Sequence, residues 1–510
     1  MEDDPQQVID GSILLDYLAA IPPDALPRLE TLRLSDLTSC RLPLELPGSC
    51  LTRLRSLTIG VDHGVFGLRM LSDCPQLSVL HILNANDDRY PDMDCDDLAG
   101  AMPSLTNLSS LHIYASIFSA GLLTTLSSLT KLESLHLGFC NSCDEAATGA
   151  LADALCHTCA LTNLRFGPLG PDPDAVITRL PLPPTELSGL VKPLRTAMPT
   201  LAKLCLHHMP VPAAVLVSIG SIRLQELELN DTELDADAQS ALVALLRGPL
   251  GTSGSLRRLA LGQLPPQLTA EMGTTLGAAC GSVSSLQEVV LWTQPGESAP
   301  TSPAVHAALL PGLTAAPLTQ LLLGSSQMGV QGMVALSQAM QQAQCGWCRT
   351  LQVLYVDEAV GPEGPVMEFY VSLAGLLAVF TSCAESQLQQ LDIGGNTLSL
   401  VGLVTVAPEL ARLPALTHLG CACNDLGVLG GNVLEVLLLR CLPKLHTLLV
   451  GGNGGWLPPA SALAGLSALQ RLDCEPFPEL AGELQHLRTV LPAVVITSDQ
   501  VTNLDVLQHG

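Results

Sequence analysis

The hydrophobic pattern of this chain is one short unit repeated many times. The unit is Leu, two variable residues, Leu, one variable residue and a further apolar residue, as in Leu29-Glu30-Thr31-Leu32-Arg33-Leu34. A copy on its own cannot bury its apolar residues, so the pattern predicts copies that stack into one continuous core. Seventeen copies, spaced by 22 to 40 residues, begin at Leu29, Leu54, Leu77, Leu108, Leu132, Leu161, Leu201, Leu224, Leu256, Leu286, Leu318, Leu351, Leu388, Leu416, Leu445, Leu469 and Leu491.

Each copy is predicted to be a strand followed by a turn and a crossover. The Leu-x-Leu step has the period of two that a strand requires. Residues 235–247 and 329–342, which follow two of the strands, carry apolar residues at helical spacing and are predicted to be helices. A helix between two strands returns the chain to the same end of the sheet, so successive strands are expected to be parallel.

The residue two places after the third apolar position marks a known family. It is Asn396, Asn424 and Asn453 in three successive copies, and Cys140 earlier. The pattern resembles the leucine-rich-repeat superfamily, similar to its ribonuclease-inhibitor-like subgroup, with Cys74 and Cys159 placed as in cysteine-containing repeats. The resemblance implies an α/β solenoid shaped as a curved horseshoe, with a parallel sheet on the concave face and helices and irregular segments on the convex face. It also implies that the asparagines hydrogen-bond the backbone of neighbouring turns.

The same pattern predicts how the chain is divided. Residues 1–28 are expected to form an N-terminal helical cap, residues 29–498 the solenoid of about seventeen degenerate repeats, and residues 499–510 a C-terminal tail. Two proline-rich stretches, 168–199 and 295–317, are expected to be extended because proline disfavours helix. The first is where a bend in the array is predicted.

Composition limits the class of partner. The chain has 48 acidic and 23 basic residues, a formal net charge of −25. That balance disfavours nucleic acid and anionic membrane surfaces, both of which require clustered basic residues. The start of the chain has no signal-peptide pattern. The 17 cysteines of the whole chain are therefore expected to be reduced and to serve mostly as small core residues. A cytoplasmic location is predicted, with nuclear, cytoskeletal or axonemal association left open.

Motifs for catalysis, metals and cofactors give no positive signal. Cys140/Cys143 and Cys156/Cys159 have a zinc-like spacing, but the helix predicted at 145–155 would hold the two pairs apart, so core cysteines are the prediction. The sequence contains no P-loop and no nucleophile-and-base motif. We therefore expect a non-enzymatic protein that needs no cofactor and no metal.

The residue between the second and third apolar positions of each copy is predicted to point away from the core; these residues form the middle column. In it His81, His112 and His136 occupy equivalent places on three successive strands, near 5 Å apart if the strands pair in order. Three imidazoles in a row disfavour each other's protonation and would respond to pH near 6 or bind an anionic partner once charged. A simple solvated row is the alternative.

An apolar run is the second feature of this surface. Val290, Leu322 and Tyr355 are successive members of the middle column, with Trp292 and Val353 in neighbouring columns. An exposed apolar patch on a sheet indicates a protein contact. Coverage by residues 295–317 of the same chain is the alternative.

These observations predict a non-catalytic scaffold that binds a protein partner on its concave face. A GTPase regulator similar to the Ran GTPase-activating proteins is an alternative, although those proteins carry an acidic tail and this chain ends in Val506-Leu507-Gln508-His509-Gly510. A substrate-recognition subunit of a ubiquitin ligase is the other alternative.

Overall fold

A computed structural model describes most of the repeat region, and the chain divides into two compact units, residues 1–256 and 257–510. The described residues are 30–34, 52–61, 68–84, 95–115, 118–139, 145–167, 189–207, 209–230, 232–262, 268–292, 302–342, 346–359, 367–413, 415–454, 456–474 and 481–497. The predicted cap at 1–28, the predicted tail at 499–510 and most of the predicted bend at 168–199 lie outside them.

Among the described residues, the first unit has eight strands, all parallel and paired in chain order. They are β1 (Thr31–Leu34), β2 (Ser56–Val61), β3 (Val79–Asn84), β4 (Ser110–Ala115), β5 (Ser134–Phe139), β6 (Asn163–Gly167), β7 (Lys203–His207) and β8 (Glu226–Asn230). Their register aligns the middle column from Arg33 on β1 to Glu228 on β8. The predicted parallel order and register are confirmed.

In the part of the second unit that the structure describes there are nine strands with the same parallel order. They are β9 (Arg258–Gly262), β10 (Glu288–Trp292), β11 (Gln320–Leu322), β12 (Val353–Tyr355), β13 (Gln390–Asp392), β14 (His418–Gly420), β15 (Thr447–Leu449), β16 (Arg471–Asp473) and β17 (Val495–Thr497). The middle column is aligned from Ala260 to Asp473. The predicted last member, Val495, is wrong, because Asp473 pairs with Thr497.

Helices connect the strands in both units. In the first unit they are α1 (Cys95–Ala101), α2 (Ala120–Thr125), α3 (Glu145–Leu155), α4 (Val191–Thr196), α5 (Ala213–Ile219), α6 (Ala236–Arg247) and α7 (Pro249–Ser253). Short 3-10 helices lie at Leu68–Asp73, Met102–Ser104 and Leu126–Ser128. The helix predicted at 235–247 is confirmed, with Asp235 as its N-cap: Asp235 Oδ1 accepts a hydrogen bond of 2.7 Å from Ala238 N.

In the second unit the helices are α8 (Ala270–Gly281), α9 (Pro303–Leu313), α10 (Gly329–Gln342), α11 (Trp347–Thr350), α12 (Met367–Ser382), α13 (Ser399–Leu410), α14 (Gly427–Cys441), α15 (Ala460–Ala464) and α16 (Ala481–Val490). The helix predicted at 329–342 is confirmed as α10. The extended structure predicted for 295–317 is wrong for its second part, because α9 spans that part with Pro303 in its first turn and Pro311 inside it. Proline is tolerated in a first turn, where its missing N–H has no intrahelical partner.

The leucines of the repeat form the core of each unit. Leu227 in the first unit and Leu391 and Leu448 in the second have at most 1% of their surface exposed. Burial of such a side chain contributes roughly 1.5–3 kcal/mol. Leu29 lies outside the described residues. Each unit is thus a stack of leucine-bearing strand–helix repeats, and the predicted leucine-rich-repeat α/β class is confirmed.

The predicted asparagine contacts join three successive turns in the second unit. Asn424 Nδ2 donates to Ile393 O and Cys421 O, and Asn424 Oδ1 accepts from Asn396 N and Leu398 N. Asn453 makes the equivalent bonds to the turn that contains Asn424. All three asparagine side chains are buried, so these bonds satisfy turn backbone groups that water does not reach.

The cysteine interpretation is only partly correct. Cys74, Cys205, Cys280, Cys421 and Cys474 are buried, but Cys156 is half-buried and Cys159 is exposed. The prediction of a core role is therefore wrong for Cys159. It lies in the turn before β6, where the buried positions are filled by Thr158 and Leu161. Cys140 and Cys143 lie outside the described residues.

Candidate functional sites on the sheet and helix faces

The first unit brings the three predicted histidines together. His81, His112 and His136 are directly paired on β3, β4 and β5. The rings of His81 and His112 stack with centroids 4.1 Å apart, and those of His112 and His136 meet edge to face at 5.1 Å. The spacing agrees with the value expected from strand pairing. The register therefore makes one continuous imidazole row.

The electrostatics of this row lower the pKa of all three histidines, and for His112 and His136 the predicted response near pH 6 is wrong. Burial, with the positive charge of Arg165 and the neighbouring histidines, lowers the pKa of His136 to about 2. Burial and the charges of His81 and Arg165 lower the pKa of His112 to about 4. The pKa of His81 is lowered by burial and by Arg33. Burial is the largest cause of the shift at each of the three, so it favours the neutral imidazole throughout the row.

A polar network continues from the histidine row across the sheet. Tyr114 Oη lies 3.5 Å from His136 Nδ1. Arg165, on β6, donates from Nε to His207 Nε2 at 3.1 Å, and the side-chain amide of Asn230 lies 3.4 Å from His207 Nδ1. His136, His207 and Asn230 are all buried. The sheet face of the first unit is thus polar, and these three of its side chains are withdrawn from water.

Next to this network lies a group of three potential metal ligands. Cys205 and His207 on β7 and Glu228 on β8 offer ligand atoms that all lie within 4.8 Å of one another. We call these three residues the Cys205 cluster. Sequence reasoning placed Cys205 and Glu228 in adjacent rows of the middle column but did not combine them with His207. The signal was present, because residues two apart on one strand share a face.

On the second unit, the predicted apolar run forms a packed cluster on the sheet. Val290, Leu322 and Val353 pack together with Ala260, and Tyr355 packs against them. The expectation of an exposed patch is wrong for Val290, Leu322 and Val353, which are only 7%, 5% and 8% exposed. Tyr355 is half-buried and donates from Oη to Gln390 Oε1 at 3.2 Å. The strand of Trp292 is described, but its side chain is not.

Two acidic residues lie beside Tyr355 on the same unit. Asp392 is buried and accepts a hydrogen bond from Gly394 N at 2.8 Å. Burial and the nearby carboxylate of Asp392 raise the pKa of Asp357 above its usual range, and burial raises the pKa of Asp392. Glycines make room for both carboxylates, because a Cβ at Gly420 would lie 2.4 Å from Asp392 Cγ and one at Gly324 would lie 2.8 Å from Asp357 Oδ1.

Sequence reasoning missed an exposed apolar surface on the helices of the second unit. Helices α12, α13 and α14 are neighbours in space as well as in sequence. Several of their outward side chains are apolar at positions where a helix usually presents polar residues to water. We call this set the helix-face patch; its exposures are Met367 49%, Val371 57%, Val401 55%, Val404 52%, Val428 67%, Leu429 66% and Val436 52%.

Comparisons with known proteins find matches among solved structures. No protein-family model matches the chain, and no curated protein matches it. Among solved structures, 217 chains match. One is a leucine-rich-repeat protein of Leptospira interrogans, with 18% identity over 93% of this chain and 97% of that chain and a TM-score of 0.39. The ribonuclease-inhibitor-like subgroup stays a prediction.

Proposed function

We propose that the protein is a non-catalytic scaffold that binds a partner protein, and that the helix-face patch is a contact surface. The observation that supports this is the exposure of seven large aliphatic side chains, from 49% to 67%, on three neighbouring helices. Scattered single apolar residues are normal on protein surfaces, but many exposed apolar residues on neighbouring helices are typical of an interaction site.

The charges around the patch indicate what kind of partner fits. Across α12, α13 and α14 the sequence holds only four charged residues, namely Glu368, Glu409, Glu435 and Arg440. Glu409 is already paired with Arg412, while Glu368 and the neighbouring Asp425 are exposed. The partner therefore carries an apolar surface with basic residues at its rim. The net charge of −25 also favours a basic partner and opposes self-association.

The predicted contact at Val290, Trp292, Leu322, Val353 and Tyr355 becomes a second proposed site, through Tyr355 in particular. The mutual burial of Val290, Leu322 and Val353 limits the apolar surface that they can offer to a partner.

The proposed contact of an anionic partner with His81, His112 and His136 would have to involve neutral imidazoles as hydrogen-bond donors, because their pKa values are lowered.

The test is affinity capture with matched variants. Val404→Glu combined with Val428→Glu places charge on two exposed positions of the patch and is expected to abolish capture of the specific partner. Val217→Glu is the control, because Val217 is 58% exposed on α5 of the other unit. The wild type, the double variant and Val217→Glu should have the same Tm. Equal capture by all three would refute the patch as a contact surface.

The identity of the captured proteins separates the alternatives. A small GTPase whose hydrolysis rate rises on addition of the chain would favour the GTPase regulator. Co-purification with ubiquitin-ligase components would favour the substrate-recognition subunit. A partner with neither property supports the plain scaffold.

A further inference from the structure

We infer that the Cys205 cluster is a zinc-binding site on the sheet face of the first unit. Cys205 on β7 is directly paired with Glu228 on β8. His207 lies two residues beyond Cys205, on the same side of the same strand. The three residues are 0%, 4% and 6% exposed, and their ligand atoms all lie within 4.8 Å of one another.

The donor set selects the class of metal. A thiolate sulfur, an imidazole nitrogen and a carboxylate oxygen together suit zinc and its close relatives and do not suit calcium or magnesium, which take oxygen ligands. Zinc bonds of about 2.0–2.3 Å in a tetrahedron separate ligand atoms by about 3.3–3.8 Å. The three ligand atoms now lie within 4.8 Å of one another and reach this spacing when side-chain rotation brings them closer by about 1 Å. A water molecule would be the fourth ligand.

Two basic side chains now lie at the cluster. Arg165 donates from Nε to His207 Nε2 at 3.1 Å, and Lys203 Nζ lies 3.4 Å from Glu228 Oε1. A zinc ion on either imidazole nitrogen would displace Arg165, because Nε2 would then bind the metal or carry the ring proton. Arg165 is half-exposed and can turn to solvent. Arg165 is therefore a competitor of the metal whose removal should tighten binding.

Asn230 supplies the support that a metal-bound imidazole requires. Its side-chain amide lies 3.4 Å from His207 Nδ1. When Nε2 binds metal, Nδ1 carries the proton, and the amide can present its oxygen to that N–H after a rotation of the amide group. A hydrogen bond of this kind fixes the ring of most zinc-bound histidines. Zinc at this place would link β7 to β8 and stabilise the folded first unit.

The test is metal content and coordination of the full chain. After exposure to zinc and dialysis against a weak chelator, we expect one zinc per chain, with one sulfur and three nitrogen or oxygen donors by X-ray absorption. Cys205→Ser should lose this zinc. Cys280→Ser is the control, because Cys280 is equally buried in the other unit. Arg165→Gln should bind zinc more tightly than the wild type and show a larger zinc-induced rise in Tm.

Three results would overturn the inference. They are a wild-type chain that keeps no zinc, a bound zinc that Cys205→Ser leaves unchanged, and a coordination shell of several sulfurs. If Cys205→Ser fails to fold, the wild-type stoichiometry and its X-ray absorption spectrum decide the matter by themselves, since they report sulfur number directly.

Discussion

Asn396 and Asn424 are joined by a hydrogen bond in which the side chain of one repeat completes the turn of the previous one. Asn396 N donates to Asn424 Oδ1 at 3.0 Å, and the same oxygen accepts from Leu398 N at 3.2 Å. Both asparagines are fully buried. One side-chain oxygen thus satisfies two backbone donors that have left water, which makes the stack of repeats cooperative at this point.

Replacing Asn424 is therefore expected to cost much more than replacing an exposed asparagine. Asn424→Ala leaves buried turn donors and acceptors without partners, at about 1–3 kcal/mol for each such group. We expect a loss of at least about 2 kcal/mol in the free energy of unfolding, measured by urea denaturation. Asn432→Ala, on the exposed side of α14, should change it by less than about 0.5 kcal/mol. Equal effects would contradict the role of the asparagine ladder.

The core leucines give a second stability prediction. Leu391 is 1% exposed on β13, so Leu391→Ala removes buried methyl groups and leaves a cavity. The expected loss is about 2–5 kcal/mol in the free energy of unfolding. Denaturation in urea measures it, and a loss below about 1 kcal/mol would contradict a close-packed spine at this strand.

These two features were predictable from the sequence because they follow from local repetition. The spacing of Leu391 and Asn396 recurs in Leu419 and Asn424 and in Leu448 and Asn453, so one of these repeats predicts the next. The register of β17 was not predictable in the same way. Sliding this strand by two residues keeps Val494 and Ile496 on one face, so the alternation of side chains cannot distinguish the two registers.

The burial of side chains on the sheet face was also not predictable from the sequence. Alternation predicted that the side chain of Leu322 points away from the leucine spine, but it does not say how closely Val290 and Val353 pack beside it. For the same reason the mutual repulsion of the histidines was predicted, whereas the burial that dominates the pKa of His136 was not. The helix-face patch was not predicted, because helical spacing alone does not show that apolar residues such as Val401 and Val404 face water rather than the core.

The histidine row predicts sensitivity to acid. His112 and His136 have folded-state pKa values of about 4 and about 2, below the ordinary value of 6.5. The unfolded chain therefore binds protons first, and stability is lost as pH falls below about 6.5. The slope approaches about 1.4 kcal/mol per pH unit for each such histidine. Urea denaturation between pH 7 and pH 4 measures this slope.

His136→Phe should make the slope shallower, because it removes one buried titrating group and keeps the ring. His157→Gln is the control, since His157 is exposed at the end of α3. If His136→Phe retains the wild-type slope, the buried imidazole is not the cause of the acid sensitivity.

The acidic pair of the second unit predicts the opposite pH dependence. The pKa of Asp357 is raised in the folded state above its ordinary value of 3.8, through burial and the charge of Asp392. Above pH 3.8 the unfolded chain loses a proton that the folded chain still holds, so this group lowers stability as pH rises. Asp357→Asn is expected to raise Tm more at pH 8 than at pH 5. Asp425→Asn, at an exposed turn, should show no such difference, and a uniform shift for Asp357→Asn would contradict the ionisation argument.

Tyr355 tests whether the sheet face of the second unit also contacts a partner. Its ring packs against the cluster of Val290, Leu322 and Val353 while the side chain stays half-exposed, a combination typical of anchoring aromatic residues. Tyr355→Ala and Trp292→Ala are each expected to weaken capture of the partner without unfolding the chain. Tyr355→Phe keeps the ring and loses only the hydrogen bond to Gln390, so it should retain capture. Capture and Tm are measured on the same preparations. Undiminished capture by both alanine variants would leave the helix-face patch as the proposed contact, and loss of capture by Tyr355→Phe would assign the contact to the hydroxyl group.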